Sequence, residues 1–181
     1  MPKVIYTKAK GLHQTAGTGS SGFGFREVIR TSTDATPTLT IDQAGALIIM
    51  DATATTTITL PQVTAADIGA FYEFQVTTAS DNLRKVVTAY DNDYIVGGVT
   101  HGFDGADSGA THFVSSVVGD NHVAIQIDDN LANSGGGNAN FKLTAILTGN
   151  VAASGGAKAV WAIVGHVAAQ ANNSDGSAIF A

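Results

Sequence analysis

The stretch DATATTTITLPQVTAADIGAFYEFQV, residues 51–76, decides the fold class because it holds two alternating runs separated by a break. In the first run, TITL, apolar residues alternate with threonines, which is typical of a strand with one buried face. Pro61 has no N–H group to give to a sheet ladder, so we expect this strand to end at Leu60. The second run, FYEFQV, resumes the alternation. The stretch therefore predicts two strands joined by a break.

The break itself carries the signals of one short helical turn. Thr64 can act as an N-cap, and Asp67 occupies the third helical position. Gly69 can adopt the left-handed conformation that closes such a turn. We therefore expect a strand, one turn of helix and a second strand.

Composition and the remaining runs extend this pattern to the whole chain. Of the 181 residues, 44% are hydrophobic and 13% charged, so the chain can bury a core, and its 21 glycines favour many turns. About ten runs read as strands: REVIR, TLTI, ALIIM, TITL, FYEFQV, RKVVTAY, HFVSSVV, HVAIQI, FKLTAILT and AVWAIVGHV. No intervening segment is long enough for crossover helices. We expect an all-β, mainly antiparallel β-sandwich or jelly-roll-like body, and no solenoid, because no convincing period appears.

Two segments give more specific expectations. SVVGDNHVAIQI predicts a tight hairpin around Gly119, Asp120 and Asn121. GGAKAVWAIVGHVAAQA, residues 155–171, is rich enough in alanine for a helix, but its β-branched residues and Gly165 favour a strand. Five residues at alternating positions are predicted to be largely buried: Phe74, Val76, Ile125, Leu143 and Trp161.

Charge divides the chain into a basic arm, residues 1–25, and a β-rich body, residues 26–181. Residues 1–30 carry a net charge of +4 and the rest of the chain −10. The segment GLHQTAGTGSSGFG is too small and polar to form a core. We expect the arm to order against a neighbouring subunit by adding a strand to an open sheet edge while its lysines meet acidic groups; the alternative is a frayed terminus. The predicted partner-binding residues are Lys3, Val4, Ile5, Tyr6, Lys8 and Lys10.

Little in the sequence supports catalysis, cofactors or metals. The chain has no cysteine, no G-x-S-x-G elbow and no conspicuous carboxylate pair. Its five histidines lack the spacing of common metal sites, and a hairpin centred on Asp120 would place His112 opposite Asp128. The loop of residues 91–107 holds four aspartates that could bind Ca²⁺, but their spacing is not that of an EF-hand, and aspartate also fills ordinary turns. We expect no enzyme and no cofactor.

Nucleic acid and membrane are also disfavoured as partners. The five cations of residues 1–30 are spread out and have a single nearby aromatic residue, Tyr6, which makes a poor nucleic-acid footprint. No apolar run reaches the roughly 20 residues of a membrane span, and the N-terminal lysines precede no apolar signal region. We expect a soluble protein made in a cytoplasm.

Four pieces of the sequence together resemble short structural proteins of tailed bacteriophages. They are Leu60-Pro61, the glycine-to-aromatic stretch 69–74, the D-x-Y-I-V-G turn beginning at Asp93, and the tryptophan strand 161–165. The resemblance covers about residues 46–167. It implies a virion protein made in the host cytoplasm, most plausibly a decoration or cement protein that binds the major capsid protein on the capsid exterior as a homotrimer.

Two other functions compete with capsid decoration. A receptor-binding or carbohydrate-binding module of a tail fibre would use Trp161, Tyr90 or Tyr94 to stack on sugar, although a single tryptophan on an alternating strand is more often a core residue. A small enzyme such as a capsule depolymerase would need an acidic cleft that the sequence does not indicate.

Overall fold

The structure is a computed structural model that describes the backbone of residues 4–7, 11–14, 27–78, 82–90, 93–104, 111–115, 123–127, 139–150 and 157–170. Side chains are described for residues 27–78, 82–90, 93–100, 123–127, 139–147 and 159–166. The described residues are mainly β-strand, with two 3₁₀ turns as their helical elements, which confirms the all-β class.

The described residues form twelve strands in three sheets. In chain order they are β1 Val4–Thr7, β2 Gly11–Gln14, β3 Val28–Arg30, β4 Leu47–Met50, β5 Thr56–Thr59, β6 Phe71–Val76, β7 Arg84–Val87, β8 Tyr94–Asp104, β9 Thr111–Ser115, β10 Ala124–Ile127, β11 Asn140–Asn150 and β12 Ala157–Gln170. The 3₁₀ turns are η1 Ile41–Gln43 and η2 Ala65–Asp67. A seven-stranded sheet has the order β3-β4-β6-β11-β12-β8-β9, a three-stranded sheet the order β10-β7-β5, and β1 pairs with β2 alone.

Both larger sheets are mixed, which corrects the expected mainly antiparallel arrangement. Four of the nine described strand pairs are parallel: β3 with β4, β4 with β6, β5 with β7, and β8 with β12. Parallel neighbours need a long crossover, usually a helix, and we expected antiparallel pairing because no segment is long enough for such helices. In the first three of these pairs the crossover instead contains a strand or bridge of the other sheet.

Residues 28–87 therefore wind through the two sheets as a short parallel coil. In the seven-stranded sheet Val28, Leu47 and Glu73 are register partners, and in the other sheet Thr38 bridges Thr59, which is paired with Val87. The sequence did not lead us to expect this local winding. The repeat escaped detection because successive partners in the seven-stranded sheet are 19 and then 26 residues apart, so no fixed period exists.

Two equivalent turns lead into β4 and β6. In the first, the Thr40 backbone N–H donates to Gln43 Oε1 at 2.9 Å; in the second, the Thr64 N–H donates to Asp67 Oδ2 at 2.9 Å. Each turn then reaches a glycine with positive φ, Gly45 at 90° and Gly69 at 94°. The turn predicted from Thr64 to Gly69 is thus confirmed, while its counterpart at Thr40 was missed.

One hydrophobic cluster contains the buried side chains of both larger sheets. Trp161 lies in this cluster with its ring centroid 5.9 Å from that of Tyr72, and Phe74 stacks on Phe141 at 4.8 Å. All five residues predicted to be buried are at most 1% exposed, which confirms that prediction: Phe74, Val76, Ile125, Leu143 and Trp161.

In the C-terminal half of the chain, some of the predicted strands and pairings are correct and others are wrong. The alanine-rich segment forms strand β12, as expected. The pairing predicted between the strands on either side of Asp120 is wrong, because β9 lies beside β8 in one sheet and β10 beside β7 in the other. The predicted turn, Gly119 to Asn121, lies outside the described residues. Strand β8 was not predicted at all, because its glycines and aspartates were taken for a loop.

Candidate interaction surface

One face of the seven-stranded sheet is turned away from the core and carries exposed apolar side chains. Along β6, along β11 as far as Ala145 and along β12 from Trp161 to Val164, alternate residues are buried, and the residues between them point outward. Val164 is 65% exposed although β12 is an interior strand, flanked by β11 and β8. Its register partners are Lys142 and Gly98, and the latter has no side chain to cover it. An aliphatic side chain therefore stands open on this face.

A β-bulge extends this apolar surface along β11. The register with β12 shifts between Ala145 and Leu147, so the extra residue is Ile146. Beyond the bulge Leu147 lies opposite Val160, which changes the residues of β11 that share the outward face. Both Ile146 and Leu147 are exposed. We define the outer-face patch by the following residues: Phe71, Ile146, Leu147, Ala162 and Val164.

Charges beside the outer-face patch balance one another. Lys142 Nζ lies 3.9 Å from the centroid of the Phe71 ring, a cation–π distance. Glu73 is the register partner of Lys142 on β6, so a carboxylate and an ammonium group occupy adjacent strands. The whole chain has a net charge of −6. A locally balanced, apolar area on an acidic protein is typical of a contact surface.

The outward face of the three-stranded sheet has a different character. Its half-buried positions are mostly polar: Thr57, Thr59, Lys85, Val87 and Gln126. Strands β5, β7 and β10, all of them described, carry no large exposed hydrophobic residue. The contrast identifies the seven-stranded sheet as the apolar side of the described body.

The two equivalent turns enclose a second feature, an open cavity of about 250 Å³ that we call the twin-turn cavity. Its lining is mainly apolar or small: Ile41, Ala44, Gly45, Ala66, Asp67, Ile68, Gly69, Ala70 and Phe71. Phe71 also belongs to the outer-face patch, so the cavity opens at one end of that patch. The volume is below the roughly 300–1,000 Å³ of typical small-molecule sites. A single apolar side chain suits it better than a substrate.

Carboxylates lie around the mouth of the twin-turn cavity. Burial, followed by the negative charges of Asp67 and Asp42, raises the pKa of the Tyr72 hydroxyl above its usual value of 10.0. The same hydroxyl donates to the Thr40 carbonyl at 2.7 Å, which fixes it beside the first turn. Glu27 joins this region because Gln43 Nε2 donates to Glu27 Oε1 at 3.2 Å. The cavity therefore has an acidic surrounding.

The structure places only part of the predicted partner-binding set. Val4, Ile5 and Tyr6 lie on β1, which pairs with β2 in a two-stranded sheet of its own. Lys3, Lys8 and Lys10 lie outside the described residues. The arm thus contains a hairpin, and its contact with a neighbouring subunit stays a prediction.

The candidate calcium and histidine residues have the following positions. Asp93 is buried, and its Oδ1 accepts the Ala159 N–H at 3.0 Å, so it anchors the start of β12. Asp91 and Asp107 lie outside the described residues, as does the side chain of Asp104. The β8–β9 register places His112 opposite His101, which corrects the predicted Asp128. Among the side chains that are described, no group of three or more metal-ligating residues comes together.

The exposure of the three aromatic residues considered for sugar binding shows which of their rings an external ligand could contact. Trp161 is fully buried and Tyr94 is 7% exposed, so neither presents a ring to solvent. Tyr90 is 51% exposed and its hydroxyl donates to Gln62 Oε1 at 3.2 Å. Of the three candidates, Tyr90 alone could stack on an external ligand.

Sequence reasoning missed the outer-face patch, although a signal for it was present. In AVWAIV both sets of alternating positions are apolar, a pattern typical of strands buried on both faces. The structure buries Trp161 and Ile163 but leaves Val164 open. An apolar run on both faces, without a second covering layer, could have indicated the surface.

Comparisons with known proteins identify no relative. No protein-family model matches the chain. No curated protein and no solved structure is similar to it. In the described part of the chain, no helix has the length and hydrophobicity needed to span a bilayer.

Proposed function

We propose that this chain is a virion structural protein that decorates the outside of a bacteriophage capsid and stabilises it by binding the major capsid protein. The observation that carries the proposal is the outer-face patch, in which Val164 stands 65% exposed in the interior of a seven-stranded sheet. Large apolar areas on proteins commonly mark contact surfaces. The motif resemblance in residues 46–167 supplies the identity of the partner.

The architecture suits a subunit that acts by binding. We infer that the two larger sheets pack as a mixed β-sandwich, because their buried side chains share one cluster. Such a rigid body can present the outer-face patch as a flat contact area. A protein that binds only the assembled capsid stabilises that state by mass action and needs no catalytic group. In this proposal the subunits associate as a homotrimer on the capsid exterior after synthesis in the host cytoplasm.

Capsid binding by two variants, each with a glutamate in place of an outward valine, tests this proposal. Val164→Glu places a carboxylate in the middle of the outer-face patch, where it would be desolvated by the partner. We expect its affinity for purified capsids to fall by at least about tenfold, the loss expected for a central contact residue. Val87→Glu, on the outward face of the three-stranded sheet, is the matched control and should bind like the parent. Equal decoration by the parent and Val164→Glu would contradict the proposal.

A tail-fibre module that binds a receptor or carbohydrate is the second candidate, and the exposure of Tyr90 is the observation in its favour. Binding of the protein to glycan arrays or host cells, lost in Tyr90→Ala, would support this function. Capsid decoration without glycan binding would exclude it.

A further inference from the structure

We propose that the basic N-terminal segment of one copy, residues 3–10, docks on the twin-turn cavity of a second copy. The proposal rests on the proposed function in one respect, that copies lie side by side on the capsid. The proposal identifies the twin-turn cavity as the site on a neighbouring copy that the predicted arm contacts.

The cavity has the shape and lining of a socket for one apolar side chain. Its 250 Å³ open to solvent between two turns whose glycines, Gly45 and Gly69, hold positive φ angles. Exposed Ile68 and half-buried Phe71 form apolar walls. A Cβ built on Gly69 meets no atom within 4 Å, so the wall there is open to an incoming group. The segment KVIYTKAK offers Val4, Ile5 and Tyr6 as candidates.

Charge around the socket complements that segment. Glu27, Asp42 and Asp67 surround the first and second turns, whereas the described cation nearby is Lys142 over the Phe71 ring. The local balance is therefore negative. The segment places lysines on both sides of its apolar residues, at positions 3, 8 and 10. An apolar centre with cationic flanks thus meets an apolar cavity with anionic flanks.

Electrostatics also favours docking between copies. Residues 31–181 carry a net charge of −10, so two such bodies repel each other. Exchange of the basic segments between copies offsets this repulsion, because each segment carries a charge of +3 from Lys3, Lys8 and Lys10 and then contacts an acidic body. The β1–β2 hairpin forms a sheet separate from the other two, as expected of a unit that can reach a neighbour. The 12 residues that join it to the body can span up to about 40 Å when extended.

Filling the cavity is the first test, and it is made with purified full-length protein in the absence of capsids. Ala65 and Ala66 are consecutive exposed residues of η2, but only Ala66 is among the residues that line the cavity. By sedimentation equilibrium at micromolar concentrations, we expect the parent and Ala65→Phe to self-associate equally. Ala66→Phe should weaken association by about tenfold, which is the effect of losing one well-packed contact. A monomeric parent, or equal association by both variants, would overturn the proposal.

Charge exchange is the second test and distinguishes this contact from a nonspecific one. Replacing Lys3, Lys8 and Lys10 with glutamate should weaken association by about tenfold at low salt and by less at high salt. Replacing Glu27 and Asp42 with lysine should have the same effect, and mixing the two variants should restore association. Failure of the mixture to associate would contradict docking between copies. Because no capsid is present, this result is independent of the Val164→Glu test of capsid binding.

Discussion

Individual buried residues could be predicted from the sequence because burial follows the alternation of a strand. Trp161 was expected in the core on this ground, and it is fully buried beside Tyr72. The outward neighbour Val164 could not be predicted as exposed, since exposure depends on whether another layer covers that face. Alternation fixes which residues share a face, but it does not say how many faces are covered.

Trp161 should therefore be a determinant of stability. We expect Trp161→Ala to lower the free energy of unfolding by about 3–5 kcal/mol, through lost burial and the cavity left behind. Its indole N–H has no hydrogen-bond partner among the described residues, so Trp161→Phe should cost less, because it removes no described hydrogen bond. Urea unfolding of the three proteins measures both differences. An alanine variant as stable as the parent but unable to attach to capsids would place Trp161 in a binding site.

Single elements were predicted where a local signal sufficed. Thr64, Asp67 and Gly69 gave the correct turn because capping and positive φ are properties of a few consecutive residues. The hairpin at Asp120 failed because the choice of partner strand is made by the whole sheet. Two strands close in sequence were assumed to pair, but β9 pairs with the strand before it, β8, and β10 pairs with the more distant β7.

A contact between elements gives a pH-dependent prediction. Asp51, just after β4, accepts hydrogen bonds from Arg30 Nη1 and the Ser32 N–H, both at 2.8 Å. Burial raises the pKa of this carboxyl, but the hydrogen bonds from Ser32 and Arg30 outweigh burial, so its pKa lies below the usual 3.8. The ionised form is thus favoured by folding, and its contribution is present above the unfolded pKa and lost as pH falls through the folded value.

We expect Asp51→Asn to lower the free energy of unfolding by about 0.5–1 kcal/mol at pH 7. The cost is modest because the Arg30 side chain is 53% exposed and solvent screens the pair. Below about pH 4 the difference between parent and variant should shrink, since the parent carboxylate becomes protonated. Urea unfolding at several pH values measures this. A difference that is constant down to pH 2 would show that the charge of Asp51 contributes nothing.

At the scale of the whole molecule, the strand-rich class could be predicted from composition, but the path of the chain through the sheets could not. Mixed sheets arise because the chain crosses between layers after nearly every strand of residues 28–87. The unequal spacings of Val28, Leu47 and Glu73 conceal this winding from any search for a fixed period. The twin-turn cavity also depends on the path of the chain. It forms because two turns that are distant in sequence lie in adjacent windings.

The division of the chain into an arm and a body predicts that the body folds without the arm. The buried residues of the core cluster run from Leu39 to Ile163, and Ile29 packs against them from β3. Strands β1 and β2 of the arm pair with each other in a sheet apart from the other two, so deletion of residues 2–24 should remove little buried surface from the body. We expect the truncated protein to unfold cooperatively in urea with a midpoint and slope close to those of the parent at a concentration where both are monomeric. Measuring below the association range matters, because loss of a contact between copies would otherwise lower the apparent stability. A smaller slope or a lost transition would show that the arm belongs to the core, and the boundary near residue 25 would then be wrong.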